Sequence, residues 1–194
     1  SLHCHIQSEN ISGRIVVTVS NNSDSGAIEY ARANNISTLI VNKVHFPNLM
    51  DQEELLIQEL VGHDVDLICL AGYMKLLPKC IINQYQNRIL NIHPALLPLF
   101  GGKGYYGIKV HEAVIASGAV ISGVTVHFVD EEYDHGKIIA QEQVEVYSED
   151  TADTLAERVL KVEHKLYPQV VKAFCEDRIV WKNNHPKIEV TIEN

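Results

Sequence analysis

Short apolar segments separated by helical patterns dominate the first half of the chain. Each segment is rich in apolar residues and ends at a turn-forming or polar residue; the segments are 14–20, 37–42, 66–72 and 88–93. They are apolar on both faces, like strands covered on both sides, and helix-forming stretches such as 27–35 lie between them. Asp51 with Glu54 resembles a capping box and predicts the start of another helix. The pattern predicts an α/β fold with a doubly wound, mainly parallel sheet.

The pattern changes in the second half. Apolar and polar residues alternate over 120–129 and 137–146, which predicts a C-terminal pair of antiparallel strands joined by an acidic loop. A long C-terminal helix is predicted from Asp150 to about Asp177, with Pro168 as a kink or break. Residues 181–194 are expected to form a surface strand or tail.

Length and charge narrow the class of protein. The chain of 194 residues suits a single domain, 1–194, and its net charge of −9 disfavours binding to nucleic acid. No apolar run is long enough to span a membrane and no export signal is visible, so we expect a cytoplasmic protein with small-molecule partners. The cysteines are scattered and are interpreted as buried thiols, and no metal is expected.

Two polar side chains stand at the end of the fourth apolar segment. Asn91 and His93 are two residues apart on a predicted strand and therefore face the same side, and Pro94 ends the strand directly after them. In open α/β sheets, ligands bind beyond the carboxyl ends of the strands. An amide donor beside an imidazole suits stabilisation of a carbonyl oxygen that becomes an oxyanion. The alternative is structural, with Asn91 capping a turn and His93 buried and satisfied.

The acidic loop supplies candidate carboxylates. Residues 130–134 contain Asp130, Glu131, Glu132 and Asp134, and a carboxylate near an imidazole raises its pKa and orients its ring. Asp134 is the best placed, because it lies where the chain re-enters the strand. A solvated hairpin tip is the alternative interpretation of the same residues.

Four motifs carry a family resemblance. Along the chain they are A-G-Y-M-K-L-L, N-I-H-P-A-L-L-P, S-G-V-T-V-H-F-V-D-E-E-Y-D-H-G-K-I-I-A-Q and V-E-H-K-L-Y-P, and their order and spacing resemble those of phosphoribosylglycinamide formyltransferases. The resemblance extends from about Gly13 to Val180. Other folate-dependent formyltransferases and the formyltetrahydrofolate hydrolases share a looser Asn-x-His core.

The resemblance implies an activity and a set of site residues. The implied reaction transfers the formyl group of 10-formyltetrahydrofolate to the amine of 5'-phosphoribosylglycinamide, a step of purine synthesis, with no metal. The implied catalytic residues are Asn91, His93 and Asp134. Those implied to bind the folate are Leu70, Met74, Lys75, Leu76, Leu77, Ile82, Ile89, Asn91, Val129 and Asp134, and those implied to bind the amine substrate are Met74 and Glu163.

The chain also departs from the family. Members begin with a strand and a glycine-rich phosphate-binding loop, and this sequence aligns from the following helix, so we expect that strand and loop to be missing before residue 1. Leu49 replaces an arginine that many members use toward the folate, and the loop Gly101–Gly107 is richer in glycine. A formyltetrahydrofolate hydrolase and an inactive folate- or nucleotide-binding homologue remain alternatives, and a homodimer is left open.

Overall fold

The structure is a computed structural model that describes residues 1–8 and 11–189. Helices and strands alternate through most of this part of the chain. In order they are α1 Leu2–Ser8, β1 Val17–Ser20, α2 Gly26–Ala33, β2 Ser37–Ile40, α3 Leu49–Gly62, β3 Ile68–Leu70, α4 Lys79–Gln84, β4 Ile89–His93, α5 Ile108–Ala116, β5 Ile121–Phe128, β6 Ile138–Glu145, α6 Ala152–Cys175, β7 Ile179–Lys182 and β8 His185–Ile188.

The parallel pairs in the first half and the antiparallel pair in the second half agree with the sequence pattern, whereas the antiparallel pairing of β4 with β5 was not predicted. β1 pairs with β2 in parallel, and β3 with β4 in parallel, while β5 is antiparallel to both β4 and β6. The order β3-β4-β5-β6 forms a four-stranded sheet. The α/β class, the antiparallel pair and the long C-terminal helix are therefore confirmed.

α6 packs its apolar face on β5 and β6 and forms the larger part of the core. Leu155 and Val159 lie one turn apart on this face and are fully buried, together with Val124 and Val126 of β5. The predicted break at Pro168 is wrong, because the helix continues to Cys175 with Pro168 buried inside it. Packing of the apolar face around this proline outweighs the loss of one backbone hydrogen bond.

Two predicted helix starts are also corrected. Thr151, not Asp150, caps α6: its hydroxyl accepts from Thr154 N, and the Thr154 hydroxyl accepts from Thr151 N. α3 begins at Leu49 with Asn48 as its cap, and Asp51 lies within its first turn. In both places a neighbouring residue with a suitable side chain takes the capping position.

The last described strands form a hairpin over the sheet. β7 pairs with β8, and Trp181 stacks on Phe128 of β5 with ring centroids 5.6 Å apart. The predicted C-terminal tail begins within this hairpin, and residues 190–194 lie outside the described residues. Among the described residues, no helix combines the length and apolar character needed to cross a bilayer.

Candidate active site

The turn after β4 is held by a buried threonine. The Thr125 hydroxyl donates to the Ala95 carbonyl at 2.6 Å and accepts from the Leu97 N–H at 3.1 Å. The Gln141 amide donates to the Thr125 hydroxyl at 2.8 Å and to the Leu97 carbonyl at 3.0 Å. These bonds join the turn to β5 and β6, so they hold the backbone that follows His93 in one position.

Asp134 is held at the end of the acidic loop in an uncommon backbone conformation. Its φ is 53°, in the left-handed region. The Asp134 Oδ2 atom accepts a hydrogen bond from the Gly102 N–H at 2.9 Å. Elsewhere in the loop, Glu131 pairs with Lys79 of α4. These contacts join the loop to α4 and to the segment after β4, and only 11% of the Asp134 side chain is exposed.

Three side chains converge on the other oxygen of this carboxylate. Asp134 Oδ1 lies 3.4 Å from Asn91 Nδ2, 3.5 Å from His93 Nδ1 and 3.7 Å from His127 Nε2. The predicted residues Asn91, His93 and Asp134, separated by up to 43 positions in sequence, are therefore brought together. Their catalytic roles stay a prediction.

Hydrogen bonding fixes which ring nitrogen of His93 carries a proton. Its Nε2 lies 2.8 Å from the Phe100 carbonyl, which can only accept, so Nε2 carries hydrogen. In the neutral ring Nδ1 then presents a lone pair toward Asp134. A proton placed between these two atoms would satisfy both, which makes the pair a natural acceptor for one proton.

Near neutral pH the electrostatics favour a neutral His93 ring beside a charged Asp134 carboxylate. Burial lowers the pKa of His93, and the Asp134 carboxylate and the Phe100 carbonyl offset only part of that effect. Burial acts upward on the pKa of Asp134, but His127, His93 and the Gly102 N–H outweigh it and hold that pKa below its usual range. A neutral imidazole beside a charged carboxylate is the arrangement that accepts a proton from an incoming amine.

Sequence reasoning missed four participants in this site. His127 lies opposite Asn91 in the β4–β5 register, and its ring contacts the Asn91 amide at 3.1 Å. The Phe100 carbonyl and the Gly102 N–H are backbone groups without a sequence signal. His111 of α5 is buried, its Nδ1 has no partner among the described residues, and its pKa is lowered by burial and then by the nearby His93. The two histidines were visible only as polar residues within apolar stretches.

The residues expected to form the folate pocket fall into two groups. Leu77, Ile82 and Ile89 are buried in one apolar cluster, against which Leu70 and Val129 pack. The segment after β3 is open to solvent at Met74, Lys75 and Leu76, with Met74 55% exposed. Apolar walls beside an open backbone segment suit a flat ring with polar edges, and the binding roles themselves stay predictions.

α6 carries Glu163, which is expected to bind the amine substrate, and hydrogen bonds join this helix to two strands. Tyr167 donates its hydroxyl to the carbonyls of Leu70 at 2.9 Å and Leu90 at 3.0 Å, which joins α6 to β3 and β4. Glu163 lies one turn earlier on the same face of α6. Burial raises the pKa of its carboxyl.

An amide, an imidazole and a carboxylate are gathered where a strand of an open α/β sheet ends, an arrangement whose chemistry suits acyl-group transfer. The chain matches the formyl transferase family over residues 1–171 and belongs to that family.

Named relatives are more specific. The chain is 51% identical over 175 residues to the chloroplastic phosphoribosylglycinamide formyltransferase of Arabidopsis thaliana, covering 90% of this chain and 60% of the relative. It is 36% identical over 167 residues to the Bacillus subtilis phosphoribosylglycinamide formyltransferase, covering 86% and 83%. The crystal structure of glycinamide ribonucleotide transformylase 1 from Symbiobacterium toebii superposes with a TM-score of 0.88 at 34% identity, covering 96% of this chain and 86% of that one. The chain spans about three fifths of the length of the plant relatives it matches.

Proposed function

We propose that the protein transfers the formyl group of 10-formyltetrahydrofolate to the amine of 5'-phosphoribosylglycinamide. The observation that carries the proposal is the position of Asn91 and His93, which both lie within 3.5 Å of one carboxylate oxygen of Asp134. The names of the relatives support the transfer of a formyl group to phosphoribosylglycinamide.

The positions of the hydrogens on Asn91 and His93 suggest how the formyl group is transferred. The amine attacks the formyl carbon, a carbon–nitrogen bond forms, and the formyl oxygen gains charge. One Asn91 N–H reaches Asp134 across a long 3.4 Å contact, so a charged oxygen competes well for it. The proton lost by the amine passes through the His93–Asp134 pair. As the bond between the formyl carbon and the folate nitrogen breaks, that nitrogen keeps the electron pair and receives one proton, so the enzyme ends unchanged.

Substrate positioning is assigned to three further regions. Leu70, Leu77, Ile82, Ile89 and Val129 are proposed as the apolar walls for the pterin ring. The backbone of Met74, Lys75, Leu76 and Leu77 is proposed to bind its polar edge, with Met74 also contacting the amine substrate. Glu163 is proposed to accept from the ribose hydroxyls, and its substitution by glutamine should raise KM for the ribonucleotide more than KM for the folate.

A formyl-transfer assay on the full-length protein tests the proposal. The assay supplies 10-formyltetrahydrofolate with and without 5'-phosphoribosylglycinamide and measures formylated product and free formate. Product formation that requires the ribonucleotide supports the transferase. Formate release without it indicates a hydrolase, and folate binding without either product indicates a binding protein.

Four features remain predictions about the whole protein. We propose a single formyltransferase domain over 1–194; a homodimer is left open, and sedimentation of the full-length protein decides between monomer and dimer. We also propose no interaction with nucleic acid, and residence in the cytoplasm. The Arabidopsis relative is named chloroplastic, so imaging of a tagged full-length protein is the direct test of the compartment.

A further inference from the structure

His127 is a buried histidine in β5 whose two ring nitrogens have different, fixed partners. It is 2% exposed, and the β4–β5 register places it opposite Asn91. Its Nδ1 lies 2.7 Å from the Phe128 carbonyl and its Nε2 lies 3.1 Å from Asn91 Nδ2. A register irregularity in the β5–β6 pairing occurs between Val126 and His127, where such a feature re-aims a side chain.

The partners of His127 determine its tautomer. A carbonyl oxygen can only accept, so Nδ1 carries the hydrogen that it donates to Phe128. In the neutral ring Nε2 then carries a lone pair and can only accept. Two groups lie near this nitrogen: Asp134 Oδ1 at 3.7 Å, which is beyond hydrogen-bond distance, and the Asn91 amide at 3.1 Å. A lone pair on Nε2 needs a donor, so the Asn91 amide turns its nitrogen toward His127.

The orientation of Asn91 decides what it offers to the reaction. With one N–H held by His127, its second N–H faces Asp134 Oδ1 at 3.4 Å, beside His93. If the amide were reversed, its oxygen would face the Asp134 carboxylate, and Asn91 would have no hydrogen to give to a developing oxyanion there.

We propose that His127 is a positioning residue that keeps the amide nitrogen of Asn91, rather than its oxygen, turned toward the reacting group. The proposal deepens the proposed formyl transfer and rests on it for its kinetic consequence. The tautomer that it requires belongs to the folded protein and does not depend on any substrate.

Two substitutions separate positioning from packing. His127→Gln keeps an oxygen that can accept from Asn91, and His127→Phe keeps the ring shape without any nitrogen. At a position that is 2% exposed, a purely structural role favours phenylalanine, whereas positioning favours glutamine. We expect kcat to fall about 10- to 100-fold in His127→Phe with KM for the folate little changed, and to recover at least partly in His127→Gln. His63, a half-buried residue at the end of α3 whose ring faces Glu59, receives the same two substitutions as a control, and kcat should be unchanged.

Nitrogen-15 NMR of histidine-labelled wild type decides the tautomer directly. We expect His127 to carry hydrogen on Nδ1 and a lone pair on Nε2, with the signals assigned by comparison with His127→Gln. A ring protonated at Nε2 overturns the proposal whether or not the protein transfers formyl groups. Equal or higher kcat in His127→Phe than in His127→Gln overturns it in the kinetic arm. If the wild type transfers no formyl group, the proposed function fails while the NMR result still decides the orientation of Asn91.

Discussion

Replacing Asp134 by asparagine tests the centre of the site, because it removes the charge and keeps the shape. The Gly102 N–H donates to Asp134 Oδ2 at 2.9 Å and continues to need an acceptor. The new amide oxygen therefore takes that position, and the new amide nitrogen takes the place of Asp134 Oδ1. There it meets the Asn91 nitrogen, donor against donor, and donates to the Nδ1 lone pair of His93.

The size of the effect follows from the bonds that change. In Asp134→Asn, His93 loses the carboxylate that raises its pKa, so its ring gains a proton only at lower pH. The new amide N–H donates to Nδ1 and favours the neutral ring. Hydrogen bonds to charged groups contribute about 1.5–3 kcal/mol, which corresponds to a fall in kcat of roughly 10- to 150-fold. The apolar walls proposed for the folate are untouched, so KM for the folate should change by less than about threefold.

Steady-state formyl transfer, with each substrate varied in turn, measures both constants. Glu132→Gln is the matched control, since it makes the same acid-to-amide change in the same loop at an exposed residue and should alter kcat by less than about twofold. A folded Asp134→Asn protein with the kcat of the wild type would refute the role of this carboxylate.

Three further changes test the scaffold. Thr125→Val leaves the Leu97 N–H without its acceptor in a buried turn, and it should lower the free energy of unfolding by about 2–4 kcal/mol in urea denaturation. Thr125→Ser keeps the hydroxyl and should keep most of the wild-type stability. Tyr167→Phe removes the hydroxyl shared by two strand carbonyls and should cost about 1–3 kcal/mol by the same measurement; an unchanged midpoint would contradict that role. Asp150 is held by both guanidinium nitrogens of Arg158 at 2.7 Å, which keeps its pKa well below the ordinary value. Its stabilisation is complete above about pH 4 and is lost as pH falls toward the lowered pKa, so Tm should fall more steeply below pH 4 in wild type than in Asp150→Asn.

The sequence was sufficient for the main strands and the long C-terminal helix, whereas the helix α5 was not predicted. Apolar runs without alternation predicted the parallel strands, and alternation over 120–129 and 137–146 predicted the antiparallel pair observed as Ile121–Phe128 and Ile138–Glu145. These signals are local, because each strand's environment sets its own pattern of side chains. The spacing of Asn91 and His93 was enough to place both on one side of a strand end.

Helix ends were less predictable, because capping depends on competition for partners. Asp150 is a good capping residue in isolation, but its carboxylate is held by Arg158 and the cap passes to Thr151. Asn48 likewise precedes the predicted start at Asp51 and caps α3. Such outcomes depend on which side chains the fold brings within reach.

By itself, the sequence determined the α/β class, the antiparallel pair, and the motifs that resemble a formyltransferase. Only the tertiary structure decided which groups contact one another in the site. The pairing register placed His127 opposite Asn91, and the backbone of Phe100, Gly102 and Phe128 fixed the ring tautomers and the orientation of Asp134. Every residue has a backbone carbonyl, and every residue except proline has an N–H, so no sequence pattern marks the groups that a fold turns toward a catalytic side chain.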